Sequence, residues 1–159
     1  MKCKNVVYAK TEVPTIQKIK EYIDNGYFFR FQNSHVRLTS NSKSFPMCYS
    51  TATEAKKAGE RVINGKSCTD RVSTLKNWQC EFNNDDVILI FEGNDTRETT
   101  DDYNEICATF YKSIAVWSME DYLNIVPIME HEVIRMREEK YNETQENYRS
   151  MLDLGQINL

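Results

Sequence analysis

The stretch Val87-Ile88-Leu89-Ile90-Phe91 constrains the fold more than any other part of the chain. Five apolar residues stand in a row, fenced by Asn83-Asn84-Asp85-Asp86 before and Glu92-Gly93-Asn94-Asp95 after. A strand with one wet face alternates apolar and polar residues, whereas an unbroken apolar run has both faces covered. The run therefore predicts the central strand of a sheet with layers on both sides. At 159 residues the chain is long enough to bury such a core as one domain with an appendage.

The flanking segments supply the other elements. Lys4-Asn5-Val6-Val7-Tyr8 reads as a short first strand. Pro14 suits a first helical turn, and Ile16, Ile19 and Ile23 form one apolar stripe that Asn25-Gly26 ends, which predicts a helix over 14–24. Tyr27, Phe29 and Phe31 then alternate with Phe28, Arg30 and Gln32. Asn33-Ser34 is a turn-type pair, and His35 to Thr39 alternates again with Val36 and Leu38 inward. The pattern predicts a hairpin. A short strand is expected over 45–49. Thr51 and Glu54 form a capping box opening a helix over 52–64, with Ala52, Ala55, Ala58 and Val62 on one small-residue face. Ser67 or Thr69 caps a brief helix carrying Val72 and Leu75.

Trp78, Cys80 and Phe82 alternate with polar residues, which predicts a second hairpin with the central strand. Tyr103, Ile106, Cys107, Phe110 and Ile114 fit helical spacing, while Ser113 to Trp117 reads as a strand. The expectation is a helical or irregular segment to Tyr111 and a strand after it. Ser118 caps the last helix, whose seam of Met119, Tyr122, Val126, Met129, Val133 and Met136 is spaced by alternating threes and fours, as in coiled-coil packing. Pro127 predicts a kink or break within it. The fold class is then α+β: a mainly antiparallel, hairpin-built sheet of five or six strands covered by helices, with a long C-terminal helix broken near Pro127. A core domain spans 1–118, and a helical extension over 119–159 packs on it or projects from it.

Charge is unevenly placed. Residues 1–76 carry 14 Lys+Arg against 6 Asp+Glu, a net of +8; residues 77–159 carry 6 against 18, a net of −12; together these give −4. The split produces a basic and an acidic face if the halves are separate in space, and internal pairing if they are not. The five cysteines stand far apart, without a CxxC pair or a secretory leader before them, and read as reduced thiols of a cytoplasmic protein. No apolar run is long enough to span a bilayer.

Motifs for chemistry are absent. The two histidines, His35 and His131, belong to no zinc-spaced cluster or HExxH helix, and there is no Gly-rich phosphate loop or Gly-x-Ser-x-Gly elbow. No cofactor and no metal is implied. Arg30 stands out, because an arginine inside an aromatic strand needs an anionic partner or an edge. With Tyr27, Arg37 and Lys43 it forms a candidate ligand-binding set, able to stack a base and hold a phosphate. Arg30, then Ser50-Thr51-Ala52, then Glu105 resembles the ordered Arg, Ser-Thr-Ser and Glu of ADP-ribosyltransferases, with Ala52 in place of the last serine and Tyr103-Asn104-Glu105 in place of the usual Gln/Glu-x-Glu. The resemblance implies a nicotinamide-nucleotide site at those residues.

The leading expectation is a small non-enzymatic interaction protein, a regulator or inhibitor of the size found among phage and mobile-element accessory proteins. It would bind a protein with a basic surface through Glu138, Glu139, Glu143, Glu146, Met129 and Met136, since a Met-lined seam adapts to partners and acidic flanks steer basic ones. The alternatives are a nucleotide-binding or ADP-ribosyltransferase-like protein using Arg30, and nucleic-acid binding by the basic N-terminal half through Arg37, Lys43, Lys56 and Lys57.

Overall fold

The computed structural model describes residues 5–46, 48–75, 83–98 and 105–153, the side chains of 133–141 and 151–153 excepted. In chain order the elements are α1 (Ile16–Asp24), β1 (Phe28–Asn33), β2 (Lys43–Ser44), α2 (Ala52–Lys57), β3 (Ile63–Asn64), β4 (Lys66–Cys68), β5 (Asp86–Asp95), β6 (Ile106–Ser118) and α3 (Met119–Asp153). The fold is α+β. Among the described residues its main sheet has four antiparallel strands in the order β1-β5-β6-β4, and β2 and β3 pair separately. Four strands is slightly fewer than the five or six expected. The chain forms two compact units, Met1–Ile125 and Val126–Leu159.

The apolar run lies where both its faces are covered. β5 is an interior strand between β1 and β6, and Ile88, Leu89, Ile90 and Phe91 are fully buried. On one face Phe28, Leu89, Phe91 and Val116 cluster with Cys68, Ala108, Tyr8 and Leu38. On the other, α1 and the start of α3 supply the cover. Trp117 meets Tyr22 at 6.3 Å and Phe29 at 6.0 Å between ring centroids, and Tyr122 meets Phe31 edge-on at 5.6 Å. Each such side chain contributes about 1.5–3 kcal/mol by burial, so the double-sided core outweighs any surface contact.

The sheet also bends back on itself. Phe29 N–H donates to the Thr69 carbonyl at 2.8 Å and Thr69 N–H to the Phe29 carbonyl at 3.0 Å, bridging β1 to the residue after β4. Two register shifts in the β5–β6 ladder, between Ile90 and Phe91 and between Glu92 and Gly93, supply the curvature. Gly93 makes the second possible: a Cβ there would sit 1.9 Å from the Thr109 carbonyl oxygen.

Several expected elements differ. β1 pairs with β5, Phe28 opposite Phe91 and Asn33 opposite Asp86, and not with the residues that follow it. The segment 35–39 is a loop because its backbone groups are claimed elsewhere. The Gln32 amide donates to the Val36 carbonyl at 2.8 Å, and Leu38 N–H donates to the Tyr8 hydroxyl at 2.9 Å. Leu38 is buried as expected, but Val36 is exposed. Residues 5–8 are irregular; Val7 and Tyr8 donate to the Ser34 carbonyl. The short strand near 45–49 falls at Lys43–Ser44 instead.

α1 starts at Ile16 with Thr15 as N-cap, its hydroxyl accepting from Lys18 N–H at 3.1 Å. α2 begins on the Thr51 cap but ends at Lys57, far short of residue 64, because Gly59 takes a left-handed φ of 81°. Of its small-residue face only Ala55 is buried. Residues 72–75 form one turn of 3-10 helix, and Thr69 Oγ1 accepts from Arg71 N–H at 3.0 Å. The helical or irregular segment expected up to Tyr111 is strand: β6 is extended from Ile106 to Ser118, paired with β4 at one end and β5 along the rest. α3 opens with Ser118 Oγ accepting from Asp121 N–H at 3.1 Å and continues through Pro127 without the break expected there. The expected strand at Trp78, Cys80 and Phe82, with its hairpin to β5, lies outside the described residues.

Within the first unit, segments of the two charge halves interleave. β1 and β4 from the basic half flank β5 and β6 from the acidic half, and Lys10 and Asp121 form an ion pair across the division at 2.5 Å.

Candidate functional site

Arg30 lies on the sheet face that also carries Phe28 and Gln32, opposite Leu89 on β5. Its Nε donates to Gln32 Oε1 at 2.8 Å and its Nη1 to the Ser67 carbonyl at 2.6 Å. Desolvation lowers its pKa from the ordinary value, while Cys68, Asp86, Glu105 and Cys107 act in the opposite sense. Lys66 is a second half-buried cation nearby. Its pKa is lowered by burial and then by the Arg30 charge, and its Nζ lies 5.4 Å from the Phe45 ring centroid. Two donors of the Arg30 guanidinium are therefore engaged by uncharged oxygens of the protein, and Gln32 passes the connection on to the loop at Val36.

The other members of the expected ligand set lie elsewhere. Tyr27 packs on Tyr22 of α1 at 6.0 Å. Arg37 is exposed in the loop after β1, and Lys43 is on β2. Ser50-Thr51-Ala52, which the ADP-ribosyltransferase resemblance assigns to a strand, forms the N-terminus of α2. Thr51 Oγ1 accepts from Glu54 N–H at 3.1 Å, and Ser50 N–H donates to Glu54 Oε2 at 3.3 Å. Glu105, just before β6, contributes to the field at Arg30.

A groove of about 320 Å³ opens between β2, α2 and β3, lined by Lys43, Ala52, Thr53, Lys56, Glu60, Val62 and Asn64. Strand pairing sets Lys43 opposite Asn64, and the Lys43 ammonium donates to Asn64 Oδ1. Ser44 Oγ donates to the Gly65 carbonyl at 2.8 Å and Gly65 N–H to the Ser42 carbonyl at 2.9 Å, which hold the two short strands together. Lys43 and Lys56 were expected as separate members of a basic surface; here they share one concavity. Thr53, Glu60 and Asn64 carried no signal in the sequence, because only the β2–β3 pairing brings them together.

The C-terminal helix holds the expected partner-binding residues. Every described side chain from 142 to 150 is exposed, Glu143 and Glu146 among them. Met129 is buried, which removes it from a free surface. Glu138, Glu139 and Met136 lie within 133–141, where only the helical backbone is described. Tyr148, 44% exposed, is an aromatic among charged neighbours that was not singled out beforehand; its isolation in a polar stretch is the signal that could have found it.

Among the described residues no group of three His, Cys, Asp or Glu side chains is placed to hold a metal ion, and no helix is long and apolar enough to cross a membrane. Compared with known proteins, the chain matches no family model, no curated protein and no solved structure at a significant level.

Proposed function

We propose that the chain is a small non-enzymatic interaction protein, a regulator or inhibitor that binds a protein partner with a basic surface through the C-terminal part of α3. The observation that supports this most is the run of nine exposed residues, 142–150, in continuous helix. Helices in proteins draw most of their stability from packing one face. A helix exposed all round over more than two turns gains nothing from packing there, and a partner would supply what is missing. From 138 to 150 four glutamates, Glu138, Glu139, Glu143 and Glu146, stand against two basic residues, Lys140 and Arg149, a net of −2, so the surface favours a basic partner. Tyr148 adds an exposed aromatic of the kind that anchors interfaces.

The alternative at Arg30 has less support, since its guanidinium already donates to Gln32 and Ser67. The test is a pull-down from the native cell extract with the full chain and with a quadruple reversal, Glu138→Lys, Glu139→Lys, Glu143→Lys and Glu146→Lys. The partner is retained by the first at low salt, released as salt rises, and lost by the second. Equal capture by both chains overturns the proposal.

A further inference from the structure

We propose that the groove between β2, α2 and β3 binds a small phosphate monoester that also carries hydroxyl groups, a ligand the size of a sugar phosphate or a nucleoside monophosphate. The inference stands apart from the partner-binding role of α3 and rests on a different part of the molecule.

Size selects the class. A groove of about 320 Å³ lies at the lower end of small-molecule sites. It suits one compact ligand, whereas a nucleic-acid strand needs a basic track, and exposed Arg37 stands on a separate loop. The lining supplies the charge. Lys43 and Lys56 contribute two ammonium groups against one carboxylate, Glu60. Lysine binds phosphate as a point charge with three donors. Lys43 commits one of them to Asn64 Oδ1, so two remain and the ammonium is held in place before a ligand arrives. Because the Asn64 oxygen faces Lys43, its amide N–H₂ is left as a further donor. The Thr53 hydroxyl completes the polar lining, and Ala52 and Val62 give an apolar wall.

Glu60 decides the second half of the ligand. A carboxylate repels a phosphate but accepts from hydroxyl groups, and its Oε1 already lies 3.5 Å from the Tyr49 hydroxyl. A bare anion gains the lysines but meets that repulsion and offers Glu60 no hydroxyl to accept from. An ester places its phosphate at the lysines and its hydroxyls at Glu60. Arg30, which the sequence singles out for this task, is engaged by Gln32 and the Ser67 carbonyl; the paired lysines in the groove replace it as the phosphate-holding groups.

The test is titration of the full chain, followed by amide chemical shifts, with inorganic phosphate, ribose, ribose 5-phosphate and AMP. Ribose 5-phosphate and AMP are expected to shift the amides of Lys43, Thr53, Lys56, Glu60 and Asn64. Both should bind more tightly than inorganic phosphate, and ribose should not bind. Tighter binding of AMP than of ribose 5-phosphate identifies a nucleotide site; equal binding identifies a sugar-phosphate site. Lys56→Gln, at an exposed position that leaves the fold intact, should weaken both esters about tenfold, the scale of one charge-assisted hydrogen bond. Glu60→Gln should tighten inorganic phosphate and weaken ribose 5-phosphate. Absence of shifts at millimolar ester, affinities unchanged in Lys56→Gln, or equal binding of phosphate and its esters overturns the proposal.

Discussion

Trp117 and Glu12 stand 105 residues apart in the chain, and the indole Nε1–H donates to Glu12 Oε1 at 3.1 Å. The same oxygen accepts the Tyr22 hydroxyl at 2.5 Å. One carboxylate thus serves polar groups of two buried aromatics, one on α1 and one on β6. Next to it Thr11 N–H donates to the Val116 carbonyl at 2.9 Å, so the segment before α1 is fastened along β6. Glu12→Ala should cost about 2–4 kcal/mol in urea unfolding, because two buried donors lose their acceptor. Glu12→Gln, which retains an oxygen, should cost roughly half as much.

Alkaline pH should weaken the fold in a defined way. Burial raises the pKa of Tyr22, with further contributions from the hydrogen bond and charge of Glu12, and burial raises that of Cys68 despite the opposing charge of Arg30. In the unfolded chain these groups ionise near their ordinary values, 10.0 and 9.0. The unfolded state therefore releases protons first as pH rises. The stabilisation is complete below pH 9 and declines progressively above it. Tyr22→Phe and Cys68→Ala should each reduce the slope of stability against pH in that window, as denaturation midpoints from pH 8 to 11 will show.

Two glycine substitutions separate strain from collision. Gly59 takes a φ of 81° in open space, so Gly59→Ala should cost about 1–2 kcal/mol. Gly93→Ala places a Cβ 1.9 Å from the Thr109 carbonyl oxygen, so β5 and β6 must part there. It should cost more than Gly59→Ala and should speed hydrogen exchange of the amides paired across Gly93 and Phe110.

Arg30→Ala should be destabilising by about 2–4 kcal/mol, since it removes donors from Gln32 and the Ser67 carbonyl and leaves a space between Phe28 and the β4 strand. Arg30→Lys should recover only part of the loss, because one ammonium cannot reproduce the fork that reaches both oxygens. A chain that keeps full stability in Arg30→Ala would return the residue to a ligand-binding role.

The apolar run at β5 was legible because an unbroken hydrophobic stretch has few homes other than a covered strand. The caps at Thr15, Thr51 and Ser118 lie at or near the expected starts of their helices, since a cap is a contact among near neighbours. β1 was recognised as a strand but given the wrong partner. Asn33-Ser34 has turn chemistry, yet Ser34 N–H donates to the Asp85 carbonyl, a partner that nothing local specifies. β6 was misread up to Tyr111 because Ile106, Cys107, Phe110 and Ile114 satisfy a helical period by coincidence, while two flanking strands hold the segment extended. The candidate sites divide along the same line. That Arg30 needs partners follows from its position among aromatics. That Gln32 and the Ser67 carbonyl provide them, and that Lys43 and Lys56 face one groove, depend on pairings between distant segments.

The partner-binding account is tested most directly by amide hydrogen exchange along α3, with and without the partner captured by the full chain. In the free chain the amides of 142–150 should exchange quickly, since every residue there is exposed. On binding they should become strongly protected, and the protection should fall as salt is raised. Protection confined to residues of the first unit, with 142–150 unchanged, would contradict the assignment of α3 as the partner-binding element.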